Sequence, residues 1–110
     1  MAYRRGDVVL VPFPFADARA TKVRPTLVLS DPAHETETGN VIVVQITSQS
    51  VRYSSDRTLR DWREAGLQHP SIVRLKLATL AAALIRFSPG SVTARDLASV
   101  ETALRGALHF

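Results

Sequence analysis

The chain is 110 residues long, enough for one domain with a real core and too short for two, with 45% hydrophobic and 22% charged residues. It has no cysteine, which excludes disulfides, zinc-thiolate centres and cysteine nucleophiles, and His34, His69 and His109 are too far apart in sequence to form a local metal-binding spacing. The formal net charge is +4, and of the 14 cations only Lys22 and Lys76 are not arginine; a guanidinium-rich surface suits phosphate and base contacts, although a GC-rich coding bias would produce the same excess.

The first residues, Met1-Ala2-Tyr3-Arg4-Arg5-Gly6-Asp7, turn polar at once and lack the basic-then-apolar order of a secretory leader. No apolar run approaches the roughly 20 residues that a membrane-spanning helix needs. The expectation is a soluble, cytoplasmic protein with one domain over residues 1–110.

Asp7-Val8-Val9-Leu10-Val11-Pro12 is β-branched and apolar and reads as a buried strand, stopped by Pro12 and Pro14. A polar loop over residues 16–23 follows, with Asp17, Arg19, Thr21 and Lys22. Pro25 then holds Arg24 extended, because the proline ring crowds the helical conformation of the residue before it. Thr26 to Leu29 continues as a second buried strand. Asp31-Pro32 and Glu35 to Asn40, ending on Gly39-Asn40, read as turn, and Val41 to Ile46 as a third strand.

Residues 48–70 are polar and form an irregular excursion with at most one helical turn. From Ile72 or Val73 the run to Leu77 alternates, which predicts a half-exposed strand carrying Arg74 and Lys76 on a basic outer face. Ala82 to Phe87 reads as a fifth strand closed by a Ser88-Pro89-Gly90 turn. Thr93 with Asp96 has the spacing of a capping box, and Leu97, Val100, Leu104 and Leu108 recur at helical spacing, so an amphipathic helix spans residues 93–108. Short strands at regular spacing and one terminal helix predict a mainly β (α+β) domain, a small barrel with the helix packed on it.

Each of two strand ends carries a polar group: Arg24, opening Arg24-Pro25-Thr26-Leu27-Val28, and Thr47, closing Gln45-Ile46-Thr47-Ser48-Gln49. A guanidinium and a hydroxyl converging there would suit a phosphate. Read alone, Arg24 is equally a surface arginine leading into a strand, and Thr47 a threonine chosen for β propensity.

In the order of its parts the chain resembles the MazF/PemK family of type II toxins over nearly its full length: Gly6-Asp7-Val8 opening a strand, Arg24-Pro25 the next, Ile46-Thr47-Ser48-Gln49 ending the third, then a terminal helix. The resemblance implies an SH3-like barrel of the CcdB/PemK/MazF type and a homodimer neutralised by a cognate antitoxin protein. It also implies sequence-specific cleavage of single-stranded RNA without a metal or other cofactor. By the same resemblance Arg24 and Thr47 are catalytic, and Lys22, Ser48, Gln49, Arg52, Tyr53, Arg74 and Lys76 are expected along the RNA. The stretch Ala18-Arg19-Ala20-Thr21-Lys22 departs from the Gly-Ser-Glu-Gln-like loop of many relatives, which bears on substrate positioning. Segments 59–67 and 70–74 resemble a divergent branch.

Metal-free RNA cleavage uses the neighbouring 2′-hydroxyl as nucleophile, so DNA is spared. Arg24 suits stabilisation of the charge that builds on phosphorus, but guanidinium is too weak an acid to serve as a base. Thr47 suits orientation of the phosphate or the 2′-hydroxyl. His69, Asp17 and Glu64 are the candidate proton carriers, with His69 otherwise a solvated loop histidine before Pro70. Tyr53 and Trp62 are the available stacking platforms, Trp62 being equally a local anchor, and Arg52, Arg57, Arg60 and Arg63 surround them. Two alternatives share the fold: a non-catalytic barrel that binds nucleic acid or a peptide, and a gyrase-poisoning toxin acting through its terminal helix.

Overall fold

The structure, a computed structural model, describes residues 2–12 and 22–110. Its elements in chain order are β1 (Asp7–Pro12), β2 (Val23–Val28), α1 (Pro32–Thr38), β3 (Asn40–Thr47), β4 (Arg57–Thr58), β5 (Ile72–Ala81), β6 (Phe87–Ser91) and α2 (Ala94–Leu108). All strand pairs are antiparallel, in the order β4-β5-β3-β2-β1-β6. The expected small barrel is therefore a curled six-stranded sheet, a half-barrel whose edges are β4 and β6, with the C-terminal helix against one face.

Both faces of the sheet are covered, so β1 to β3 read as continuous apolar runs rather than strict alternation. On one face Val8, Leu27, Val44, Ile46 and Val73 pack with Leu59, Ala65, and Val100 and Leu104 of α2. On the other, Val9, Val11, Val28, Val41 and Val43 pack under Tyr3, Leu80 and Ile85. Each fully buried valine or leucine contributes about 1.5–3 kcal/mol relative to exposure. The stripe of α2 is used through Leu104, while Leu108 runs past the sheet and is exposed.

Four expectations about the elements and their caps change. The turn after Asp31 is a helix: Asp31 Oδ2 accepts from the Ala33 N–H at 2.9 Å, Pro32 supplies a preset φ, and Gly39 closes the helix at φ 74. Its seven residues carry no apolar stripe and bury nothing, so periodicity could not reveal it. The strand set at 82–87 lies instead at Phe87–Ser91, after a 3-10 turn over Ala82–Leu84. Pro89 is tolerated there because β6 is an edge strand that, among the described residues, pairs with β1 alone. A two-residue strand, β4, sits inside the polar excursion.

Fourth, the capping box is diverted. Thr93 precedes α2 without capping it, its hydroxyl donating to Asp61 Oδ2 at 2.5 Å, and Asp96 accepts the Arg60 and Asp61 N–H groups at 3.0 and 2.9 Å. The start of α2 thereby holds the turn at residues 60–61.

Candidate active site

Arg24 stands exposed near the start of β2, and Thr47 ends β3 half-buried. The β2–β3 ladder pairs Val28 with Val43, Leu27 with Val44 and Thr26 with Gln45. Continued two residues past its last pair, that register sets Arg24 abreast of Thr47. Both line one cleft of about 410 Å³, together with Ser48, Leu10, Phe87 and the segment Gly66-Leu67-Gln68-His69. The guanidinium and the hydroxyl expected to meet do share one open site.

The Thr47 hydroxyl oxygen accepts the Gln49 N–H at 3.3 Å. Its own proton is left to donate to an oxygen in the cleft. A phosphodiester there would meet a permanent fork-shaped cation and a hydroxyl donor, the groups that hold a phosphate and become more favourable as its charge rises.

The wall that carries His69 is built from distant parts. Asp61 pairs with Arg95 through 2.6 and 2.7 Å contacts. The Arg95 guanidinium, and after it the Thr93 hydroxyl, hold the Asp61 carboxyl well below the usual carboxylate range. Gly66, at φ 81, lies so close to β6 that a Cβ would stand 2.7 Å from the Pro89 carbonyl oxygen, and one at Gly90 would stand 2.8 Å from that of Ala65. The Ser71 hydroxyl donates to the His69 carbonyl at 2.8 Å, fixing the far end.

Arg74 is not on an open basic face. The β3–β5 ladder shifts between Val44 and Gln45: Val44 faces Leu77 while Gln45 faces Arg74, so Leu75 and Lys76 form a bulge; two inserted residues leave the alternation of sides intact, and Arg74 is buried because the segment of Gln49, Ser50 and Asp56 covers its face. The Arg74 side chain is 7% exposed and its partner Asp56 is fully buried, with Nη2 to Oδ2 at 2.9 Å. Arg74 also donates to Gln49 Oε1 at 2.6 Å and to the Ser50 carbonyl at 3.2 Å, and Asp56 Oδ2 accepts the Arg52 and Tyr53 N–H groups. The bonded guanidinium holds the Asp56 carboxyl down at about 2 despite burial. This pair fixes the loop that leaves Thr47 and Ser48.

The other expected RNA contacts lie on the surface. Lys22, Ser48, Gln49, Arg52 and Lys76 are exposed, Ser48 inside the cleft and Lys76 in the β5 bulge. Tyr53 is exposed, its ring centre 5.3 Å from the Arg74 guanidinium and 6.0 Å from that of Arg52. Trp62 packs against the core with Arg63 over its ring at 4.7 Å, so it anchors its segment as the alternative reading held. Arg57 is bonded to the carbonyls of Ser54, Asp56 and Ser99. Glu64 is not in the cleft lining, and Asp17 lies outside the described residues. Phe87, 60% exposed in the cleft, went unnoticed in the sequence, where nothing marks it beyond aromaticity.

A sequence model of the family described as "PemK-like, MazF-like toxin of type II toxin-antitoxin system" matches residues 4–108. The chain belongs to this family. Among solved structures, MazF from Deinococcus radiodurans is 25% identical, with a TM-score of 0.80 over 100% of this toxin and 99% of that chain. An endoribonuclease in complex with its cognate antitoxin, from Mycobacterial species, is 21% identical, with a TM-score of 0.82 over 99% and 97% of the two chains. The Mycobacterium tuberculosis toxin MazF-mt6 is 19% identical, with a TM-score of 0.76 over 94% and 97%. No curated protein sequence matches the toxin.

Proposed function

We propose that this toxin is an endoribonuclease that cleaves single-stranded RNA, in a sequence-specific way and without a metal, by attack of a 2′-hydroxyl on the adjacent phosphodiester. The observation that carries this reading is the shared cleft of Arg24, Thr47 and Ser48. Arg24 holds the non-bridging phosphate oxygens, and Thr47 orients the phosphate beside it. Ser48, Gln49 and Lys22 flank the reacting nucleotides, Arg52 and Tyr53 extend the path along the next loop, and Lys76 adds an outer cation. Arg74 serves this path by holding Gln49 and Ser50 in place.

The toxin functions in the cytoplasm, where mRNA is accessible; among the described residues no helix is long and apolar enough to cross a membrane. A cognate antitoxin is its natural partner, in keeping with the relative solved with one. The exposed Leu77, Leu84 and Phe110 provide apolar area for a homodimer, and a monomeric mass by light scattering at micromolar concentration would contradict that assembly.

The test incubates purified protein with single-stranded RNAs of varied sequence in excess chelator. Fragments ending in 2′,3′-cyclic phosphate are expected, with DNA of the same sequence untouched. Intact RNA in every case would sink the reading, and salt-sensitive binding without cleavage would favour a binding module instead.

A further inference from the structure

We propose that His69 is the general base of RNA cleavage, taking the proton of the attacking 2′-hydroxyl. The inference rests on the endoribonuclease reading above. Sequence alone offered three separate proton carriers; the fold brings His69 into the cleft that holds Arg24 and Thr47.

Arg24 can donate but cannot accept a proton at working pH, and the hydroxyls of Thr47 and Ser48 and the amide of Gln68 exchange hydrogen bonds without taking a proton outright. Arg24 and His69 are the titratable groups among the described residues lining the cleft, and imidazole is the one that ordinarily titrates near neutrality. Among the described residues the charged side chain lining the cleft with it is Arg24 from β2; the lining residues from β1, β3 and β6, and Ser71 just before β5, carry no charge.

The backbone that carries His69 is braced. Its carbonyl is bonded by Ser71, and the chain before it is pinned by Asp61 to Arg95 and by the close passage of Gly66 along Pro89. A braced backbone limits how far the imidazole has to search for the 2′-hydroxyl.

In the proposed step the 2′-oxygen forms a bond to phosphorus while His69 accepts its proton. The phosphorane is stabilised by Arg24. The bond from phosphorus to the 5′-oxygen then breaks, and that oxygen receives the proton from the imidazolium, directly or through a water beside it. The products are a 2′,3′-cyclic phosphate and a 5′-hydroxyl, with no other reactant needed.

The test compares wild type, His69→Gln and His69→Ala on one cleavable RNA across pH 5 to 9. Loss of kcat by about 10²–10⁴-fold is expected in both variants, with KM within about threefold of wild type. The acidic limb of the wild-type kcat profile should vanish in His69→Gln, and free imidazole should restore part of the rate to His69→Ala, which a merely structural role would not produce. Melting temperature should hold, since the side chain is exposed. Variants that cleave at the wild-type rate with an unchanged pH profile would overturn the proposal and leave the nuclease reading intact. Wild type that leaves all RNA whole would instead remove the reading beneath it.

Discussion

Two arginines of the same sheet, Arg24 and Arg74, meet opposite surroundings. Arg24 stands exposed at the start of β2 beside an open cleft, whereas Arg74 is buried in β5 with Asp56, Gln49 and Ser50 around its guanidinium. In the proposed function the first meets an arriving phosphate, while the second holds a loop that is already there. A buried arginine whose donors are satisfied has little left for a ligand, and releasing it would leave a carboxylate stranded in the interior. The difference separates an open guanidinium from a structural one between two residues of one type.

Mutation can break that contrast at either end. Arg24→Ala should lower RNA cleavage by about 10²–10³-fold in kcat, the scale of losing one charge-stabilising donor, and leave the melting temperature nearly unchanged. A cleavage assay paired with thermal melting checks both halves. Asp56→Ala should do the reverse in kind: a stability loss on the order of 3 kcal/mol, because Arg74 is left buried without its partner. Its KM should rise as the loop of Gln49 and Ser50 loosens, with kcat less affected, which denaturant titration and steady-state kinetics would show.

The braced wall of the cleft offers a smaller test. Gly66→Ala places a methyl 2.7 Å from the Pro89 carbonyl oxygen at a backbone angle that favours glycine, and should cost about 1–3 kcal/mol by denaturant titration. The smallest effect concerns pH. The carboxyls of Asp56 and Asp61 titrate below their ordinary 3.8 in the folded chain, so their contribution to stability is complete above about pH 5 and fades as pH falls toward 2. Thermal melts from pH 7 to pH 2 should show the melting temperature falling chiefly below pH 4, and Asp61→Asn should flatten that fall.

Much of this was legible in the chain. β1, β2, β3 and α2 follow from local patterns, and so do the places of Arg24 and Thr47 at strand ends; that the two belong to one site was implied by the family resemblance. α1 carried its signals in Asp31, Pro32 and Gly39, but without an apolar stripe they resembled a turn. The burial of Arg74 was not legible: alternation sets it opposite Val73 and Leu75, but the cover on that face comes from Asp56 and Gln49, 18 and 25 residues earlier in the chain. Nor was the role of Asp96, whose spacing from Thr93 suits a cap while its oxygens serve a turn 35 residues away.

By itself the amino-acid order determined β1, β2, β3 and the terminal helix and set Arg24 and Thr47 at strand ends, since each depends on neighbours within a few positions. Tertiary structure alone decided which arginine faces solvent, which carboxylates are tied down, and that His69 shares a cleft with Arg24. Those outcomes depend on register and on contacts between segments far apart in the chain, where local spacing carries no information.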